Sequence, residues 1–245
     1  MTKAGIDHSR TLAPMGWAAT PPIVVTPYVD GDDLVSMMRQ PNHRMWDNDH
    51  ELLGKWVATA GAIVSAYHVA NRCTDADQQS NAFIDTRAAA RRLGVVKGRI
   101  SQLIDTVNPT TQCVDAFGDL GPGNLLGCTD ESLYLLEPPT QTLPRLVHRD
   151  IGNFLFELRR QLAGRGFTPE PPAKPVFDQL RNAFIERYDS SFSAADRALV
   201  ALFEARRAAG MARKRFPRRL GDSVWFARLA RERRAAITAD DLART

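Results

Sequence analysis

Residues Thr86–Asp105 read TRAAARRLGVVKGRISQLID, and their spacing predicts two short helices joined by a tight turn. Ala90 is small where the two helices must cross closely. Gly94 follows four residues later, where such a turn takes up a positive φ at little steric cost. Leu93, Val95, Ile100 and Leu103 supply the apolar seam that glues the second helix onto the first. Val96, Lys97, Gly98, Arg99, Ser101, Gln102 and Asp105 point away from that seam.

This pattern resembles the helix-turn-helix of bacterial repressors, sigma-factor promoter-binding regions and excisionase-like proteins, over residues 86–105 alone. The resemblance implies that the outward residues of the second helix enter the major groove of double-stranded DNA. It assigns base contact to Lys97, Arg99, Ser101 and Gln102. Arg can be bidentate to guanine and Gln to adenine, whereas Lys serves guanine or phosphate. Arg87 and Arg91, with Arg92, fall on the first helix, which crosses the phosphate backbone. Read without the resemblance, the same residues are a solvated face on an ordinary helical hairpin.

The charge distribution is uneven. The chain has 245 residues and a formal net charge of +4. Ile100–Pro144 holds no Lys or Arg, while Asp105, Asp115, Asp119, Asp130, Glu131 and Glu137 fall within it. Arg206–Arg234 holds eleven basic residues against Asp222 and Glu232, a local net of +9. Such asymmetry points to a charged partner surface. Arg213, Lys214 and Arg215, with Arg218, Arg219, Arg228, Arg231, Arg233 and Arg234, either track phosphates, pair with the acidic middle section, or form a solvated face.

Hydrophobic residues make up 44% and charged residues 24%, the balance of a soluble globular protein. Trp56–Ala70 is too short to span a bilayer and reads as a core helix, so no membrane association is expected. Cys73, Cys113 and Cys128 are widely spaced and odd in number, which fits reduced thiols in a cytoplasmic protein without zinc or a redox centre.

Four regions are expected. Residues 1–45, rich in Pro and Gly, read as a poorly ordered arm with one extended piece at Ile23–Tyr28. Residues 46–140 form the helix-turn-helix domain, entered by a long helix over Asp47–Arg72 and a polar loop over Cys73–Asn81. Gln112–Phe117 and Ser132–Glu137 have strand-like content and flank the Gly-rich GDLGPGN, the order of a β-hairpin wing. Residues 141–174 are a linker carrying an amphipathic helix at His148–Ala163. From 175 a helical, basic C-terminal domain follows, with helices at Val176–Tyr188, Ala194–Ala209, Asp222–Ala235 and Ala239–Ala243.

The fold class expected is therefore mainly α: a helix-turn-helix domain with a small wing-like hairpin, plus a helical C-terminal domain. The function expected is sequence-specific DNA binding by a transcriptional regulator, as a homodimer on a palindrome and without cofactor or catalysis. A replication or partition protein of a mobile element is one alternative. Another is an adaptor binding proteins through the acidic 105–137 or the basic 206–234 segment. His43, Asp47, Asp49 and His50 in Pro41–His50 (PNHRMWDNDH) could ligate a metal in principle. The rest of a nuclease pattern is missing, and Asp47 or Asn48 suits a helix cap better. No Ser/His/Asp order, P-loop or GxGxxG is evident.

Overall fold

The computed structural model describes residues 16–19, 22–25, 30–39, 50–128, 133–135, 143–163, 173–215 and 220–238. The arm over Met1–Met15, the candidate metal residues His43, Asp47 and Asp49, and the short helix at Ala239–Ala243 lie outside them. Strands β1 (Gly16–Ala19) and β2 (Pro22–Val25) form an antiparallel ribbon. After β3 (Gly31–Asp33), Asp33 Oδ1 accepts the Val35 and Ser36 amides at 2.9 Å each and starts α1 (Leu34–Arg39).

The centre of the molecule is built by helices whose apolar residues recur at helical spacing. In α2 (His50–Ala70), Leu53, Trp56, Val57, Ala60, Ile63 and Val64 are buried. They meet Phe177, Leu180, Phe184 and Ile185 of α7 (Ala173–Tyr188). The helices approach closely because Gly61 faces the Phe184 carbonyl, where a Cβ would collide with backbone. Helix α6 (Val147–Leu162) is covered on several sides at once. Phe154 stacks on Phe184 at 4.6 Å between centroids, and Phe156 meets Phe226. Burial of each such ring contributes about 1.5–3 kcal/mol. Helices α8 (Ala194–Arg215) and α9 (Leu220–Thr238) form an antiparallel pair beside α6.

Three findings differ from the expectations above. First, α3 (Ala76–Arg92) begins ten residues before Thr86, so Cys73–Asn81 is mostly helix and not a polar loop. Asp75 caps it by accepting the Gln78 amide at 3.3 Å, and the polar ADQQSN start is tolerated because it faces solvent.

Second, the turn before α4 (Lys97–Asp105) is present, with Gly94 at φ 66°, but its exposed side is used within the molecule. Arg99 Nε donates to the Ile237 carbonyl at 2.9 Å, and Arg234 Nη2 donates to the Gly94 carbonyl at 3.0 Å. The supposed recognition helix is thus fastened to α9. The whole segment is an excursion closed at its base. Cys73 N–H donates to the Cys113 carbonyl at 2.9 Å, and Asp115 N–H donates to the Asn71 carbonyl at 2.8 Å.

Third, the described residues form no wing. A short helix, α5 (Pro109–Gln112), leads into β4 (Cys113–Ala116), which pairs with β7 (Leu143–Leu146). By contrast β5 (Leu125–Cys128) pairs with β3 and with β6 (Leu133–Leu135). The strands flanking GDLGPGN belong to different sheets, so that segment bridges two sheets and is not a hairpin tip.

Candidate active site

Strand β4 delivers the chain into Phe117–Asn124, FGDLGPGN, and almost every unit of this loop is held. Gly118 has φ 86°, a left-handed conformation that favours glycine. The Phe117 amide donates to Asp150 Oδ2 at 2.6 Å and the Gly118 amide to Asp150 Oδ1 at 3.0 Å. One turn further along α6, Asn153 Nδ2 donates to the Gly118 carbonyl at 3.0 Å. Leu120 is buried in the core, and Pro122 opens a 3₁₀ turn over Pro122–Asn124 in which the Asn124 amide donates to the Gly121 carbonyl at 3.0 Å.

The clamp is anchored from behind. Asp150 is fully buried in the first turn of α6, where the helix N-terminus favours its charge. His68 Nε2 lies 3.3 Å from Asp150 Oδ2, and His68 Nδ1 lies 2.9 Å from the Tyr188 hydroxyl. Burial first, and then the charges of Asp189 and Asp150, push the Tyr188 phenol up, so it stays a neutral donor. Tyr67, whose hydroxyl donates to the Asp115 carbonyl at 3.2 Å, is pushed up to about 12 by burial and then by Asp150 and Asp115.

Between these anchors the Asp119 side chain is 85% exposed. Arg207 Nη2 sits 2.9 Å from Asp119 Oδ1 and 3.3 Å from Glu157 Oε1. Asn124, five residues on, is half-buried at the end of the 3₁₀ turn. The clamped loop therefore presents a carboxylate to solvent and, five residues on, a half-buried amide side chain. That pair suits proton acceptance and the coordination of a hard cation.

No family model matches the chain, and no curated protein matches its sequence. Solved structures do match its fold. A glucosamine kinase superposes with a TM-score of 0.52 at 16% identity, over 93% of this chain and 66% of that one. An amicoumacin kinase in complex with AMP-PNP, Ca2+ and Ami superposes with a TM-score of 0.49 at 16% identity, over 90% of this chain and 67% of that one. The chain spans about two thirds of the length of each.

The likeness to the glucosamine kinase shows a shared fold and overturns the helix-turn-helix reading. The chain is not a helix-turn-helix domain with a wing and a separate helical unit, and the resemblance over 86–105 is local. Transcriptional regulation, mobile-element replication or partition, the adaptor alternatives and a double-stranded DNA partner go with it. So does the expectation of a protein without catalysis, against which stands the likeness to a solved glucosamine kinase. No helix among the described residues is long and apolar enough to cross a membrane.

The residues singled out from sequence lie away from the loop. Lys97, Gln102, Arg87 and Arg91 are exposed, Ser101 is half-buried, and Arg99 is held by α9. Arg213 and Lys214 are exposed and Arg215 is half-buried at the end of α8. Sequence reasoning missed Asp119 and Asn124 although a signal was present. Asp119-Leu120 followed by Asn124 reproduces the D-L-x-x-x-N of the protein-kinase catalytic loop H-R-D-L-x-x-x-N, with Phe117 and Gly118 where that pattern has His and Arg. What these residues build is a fold shared with that glucosamine kinase, in which Asp150 clamps the Phe117–Asn124 loop and leaves Asp119 open to solvent.

Proposed function

We propose that this chain carries the catalytic loop of a phosphotransferase moving the terminal phosphoryl group of a nucleoside triphosphate onto a hydroxyl of a small acceptor. The carrying observation is the D-L-x-x-x-N loop whose backbone is clamped by buried Asp150 while the Asp119 carboxylate stays open to solvent. Phosphoryl transfer asks little covalent chemistry of the protein and much positioning, and a loop held at both faces of Gly118 supplies it.

In this reading Asp119 accepts the proton of the acceptor hydroxyl. The hydroxyl oxygen bonds to the γ-phosphorus as the bond to the β-phosphate bridging oxygen breaks, leaving the nucleoside diphosphate. Arg207, held between Asp119 and Glu157, fixes the direction of the Asp119 carboxylate.

The Asn124 side-chain oxygen suits one ligand position of a magnesium ion. Mg2+ takes one or two protein oxygen ligands and fills its shell with phosphates and water. The Asn124 side-chain oxygen folds back over the loop, 3.8 Å from where a Cβ on Gly121 would stand. Asn124 would hold the metal, which would neutralise charge on the β- and γ-phosphates. In the kinase pattern a further carboxylate follows the catalytic loop in sequence. Here the next acidic residues in sequence are Asp130, Glu131 and Glu137, which lie outside the described residues.

The test is transfer of label from [γ-32P]ATP with Mg2+ to glucosamine and a panel of small hydroxyl compounds, resolved by thin-layer chromatography. Asp119→Asn should lower transfer by about 10²–10⁴-fold while circular dichroism stays native. Equal turnover by wild type and Asp119→Asn would refute the assignment. So would the absence of both nucleotide binding and turnover in the wild type.

A further inference from the structure

Against α3 three arginines from β7, α6 and α8 converge on one carboxylate. Asp85 Oδ2 lies 3.4 Å from Arg145 Nε, 2.7 Å from Arg149 Nη1 and 3.4 Å from Arg206 Nη1. The three guanidinium groups are only 18–26% exposed. Arg92, a further seven residues along α3 from Asp85, adds its charge to the field at Arg206. The Arg145 Nε atom is buried with no hydrogen-bond partner. Burial first, partly offset by Asp85 and worsened by neighbouring arginines, pulls the Arg145 and Arg206 guanidinium groups down.

The other arginine clusters among the described residues are nearer balance, although Arg181, Arg207 and Arg233 also bury an Nε without a hydrogen-bond partner. Arg181 and Arg233 share Glu204, with Glu232 taking Arg233 and Arg159, and Arg207 has both Asp119 and Glu157. Around Asp85 the excess is two positive charges among the paired groups alone. Partly desolvated guanidinium groups in excess of carboxylates form a binding site for an oxyanion, which they can grip bidentately.

Two arginines of the cluster are sequence neighbours of residues that hold the loop, and the third lies on the strand paired with β4. Arg145 registers opposite Val114, two residues before Ala116 where β4 ends. Arg149 precedes Asp150, the clamp of the Phe117 and Gly118 amides, and Arg206 precedes Arg207, the partner of Asp119. The closed excursion 74–112 completes the cluster, because it carries Asp85 and Arg92 on α3.

We propose that Arg145, Arg149 and Arg206 form a binding site for a small oxyanion, the phosphate or carboxylate of a small compound, and so add an anion site to the phosphotransferase reading.

The test titrates the full chain with inorganic phosphate, glucose 6-phosphate, glucuronate and uncharged glucose, following 31P line widths and calorimetric heats, and measures ATP turnover of the wild type separately. Anionic compounds should bind at least ten-fold tighter than glucose. Arg149→Gln and Arg206→Gln should each weaken anion binding about ten-fold. Asp85→Asn, which removes the one carboxylate, should strengthen it several-fold, and that opposite sign serves even if an arginine variant fails to fold. Glucose 6-phosphate or glucuronate binding tighter identifies the anion as phosphate or carboxylate. Anion binding indifferent to all three substitutions overturns the proposal, and leaves the phosphotransferase reading intact if ATP is turned over. Anion binding that follows the substitutions, with no ATP turnover or nucleotide binding, upholds the anion site and removes that reading instead.

Discussion

Replacement of Asp150 tests the construction of the loop. Asp150→Ala removes the acceptor of the Phe117 amide at 2.6 Å and of the Gly118 amide at 3.0 Å, and leaves His68 without its partner at 3.3 Å. A hydrogen bond to a charged group contributes about 1.5–3 kcal/mol, and a buried donor left unpaired costs its full desolvation. Phe117 is buried and its amide has no access to water, whereas Gly118 is exposed and recovers part of its loss. The expected cost is therefore about 3–4 kcal/mol, against about 1–2 kcal/mol for Asp150→Asn, which keeps one oxygen for Phe117. At about 2–4 °C per kcal/mol for a chain of this size, Asp150→Ala should melt roughly 6–16 °C lower. Urea titration gives the free energies, and hydrogen exchange at the Phe117 and Gly118 amides locates them. Phosphoryl transfer should fall further than stability explains, because displacing Asp119 by about an ångström costs on the order of 100-fold. Unchanged exchange at both amides in Asp150→Ala would refute the clamp.

Other perturbations follow from single contacts. A Cβ on Gly152 would stand 2.7 Å from Phe203 Cβ and 2.9 Å from the Val200 carbonyl, so Gly152→Ala should force α6 and α8 apart and lower stability by at least about 1–3 kcal/mol in urea. Burial alone would raise the Asp196 carboxyl, but the hydrogen bond and charge of His148 at 2.8 Å, with the Ser193 donors, outweigh it and hold the group well below the usual carboxylate range. Its stabilisation is present above the unfolded value of about 3.9 and is lost as pH falls below that, so Asp196→Asn should flatten the acid limb of a stability–pH curve. Burial, and then the Cys73 hydrogen bond, push the Cys113 thiol up to about 12. Its contribution is full below the unfolded value of about 8.5 and is lost between there and about 12, so Cys113→Ala should be less sensitive to alkali. In the native protein, thiol reagents at pH 8 should label Cys113 only as fast as the chain opens.

The elements legible in the sequence are those specified by local period. Leu53, Trp56, Val57, Ala60 and Ile63 on α2, and Ile151, Phe154, Leu155 and Leu158 on α6, announce their helices because each apolar side chain lies one turn from the next. Strand content at Cys113–Ala116 and Leu133–Leu135 was equally visible, but pairing was not. Adjacent strands separated by a Gly-rich loop suggest a hairpin, and nothing near β4 signals that its partner is β7, beyond β5 and β6 in sequence. The clamp was hidden for the same reason: Asp150 serves amides 33 and 32 residues earlier, and an aspartate in the first turn of a helix otherwise looks like an ordinary dipole partner.

The helix-turn-helix reading failed in a way that follows from the closed base of the excursion. Ala90, Gly94, Val95 and Ile100 specify how α3 and α4 pack on each other, and that geometry is the same whether the outer face meets a nucleic acid or another helix. Which of the two it meets is decided by residues about 140 positions away, where Arg234 reaches Gly94 and Ile237 takes Arg99. Pinned at Asn71–Cys73 and Asp115, the excursion can be built into the fold without disturbing the path from α2 into the loop. It contributes Asp85 and Arg92 to the arginine cluster while leaving the Phe117–Asn124 backbone to Asp150 and Asn153. Of the positive charge that suggested DNA, Arg206 and Arg92 stand in the Asp85 cluster, while Arg99 and Arg234 fasten α4 to α9.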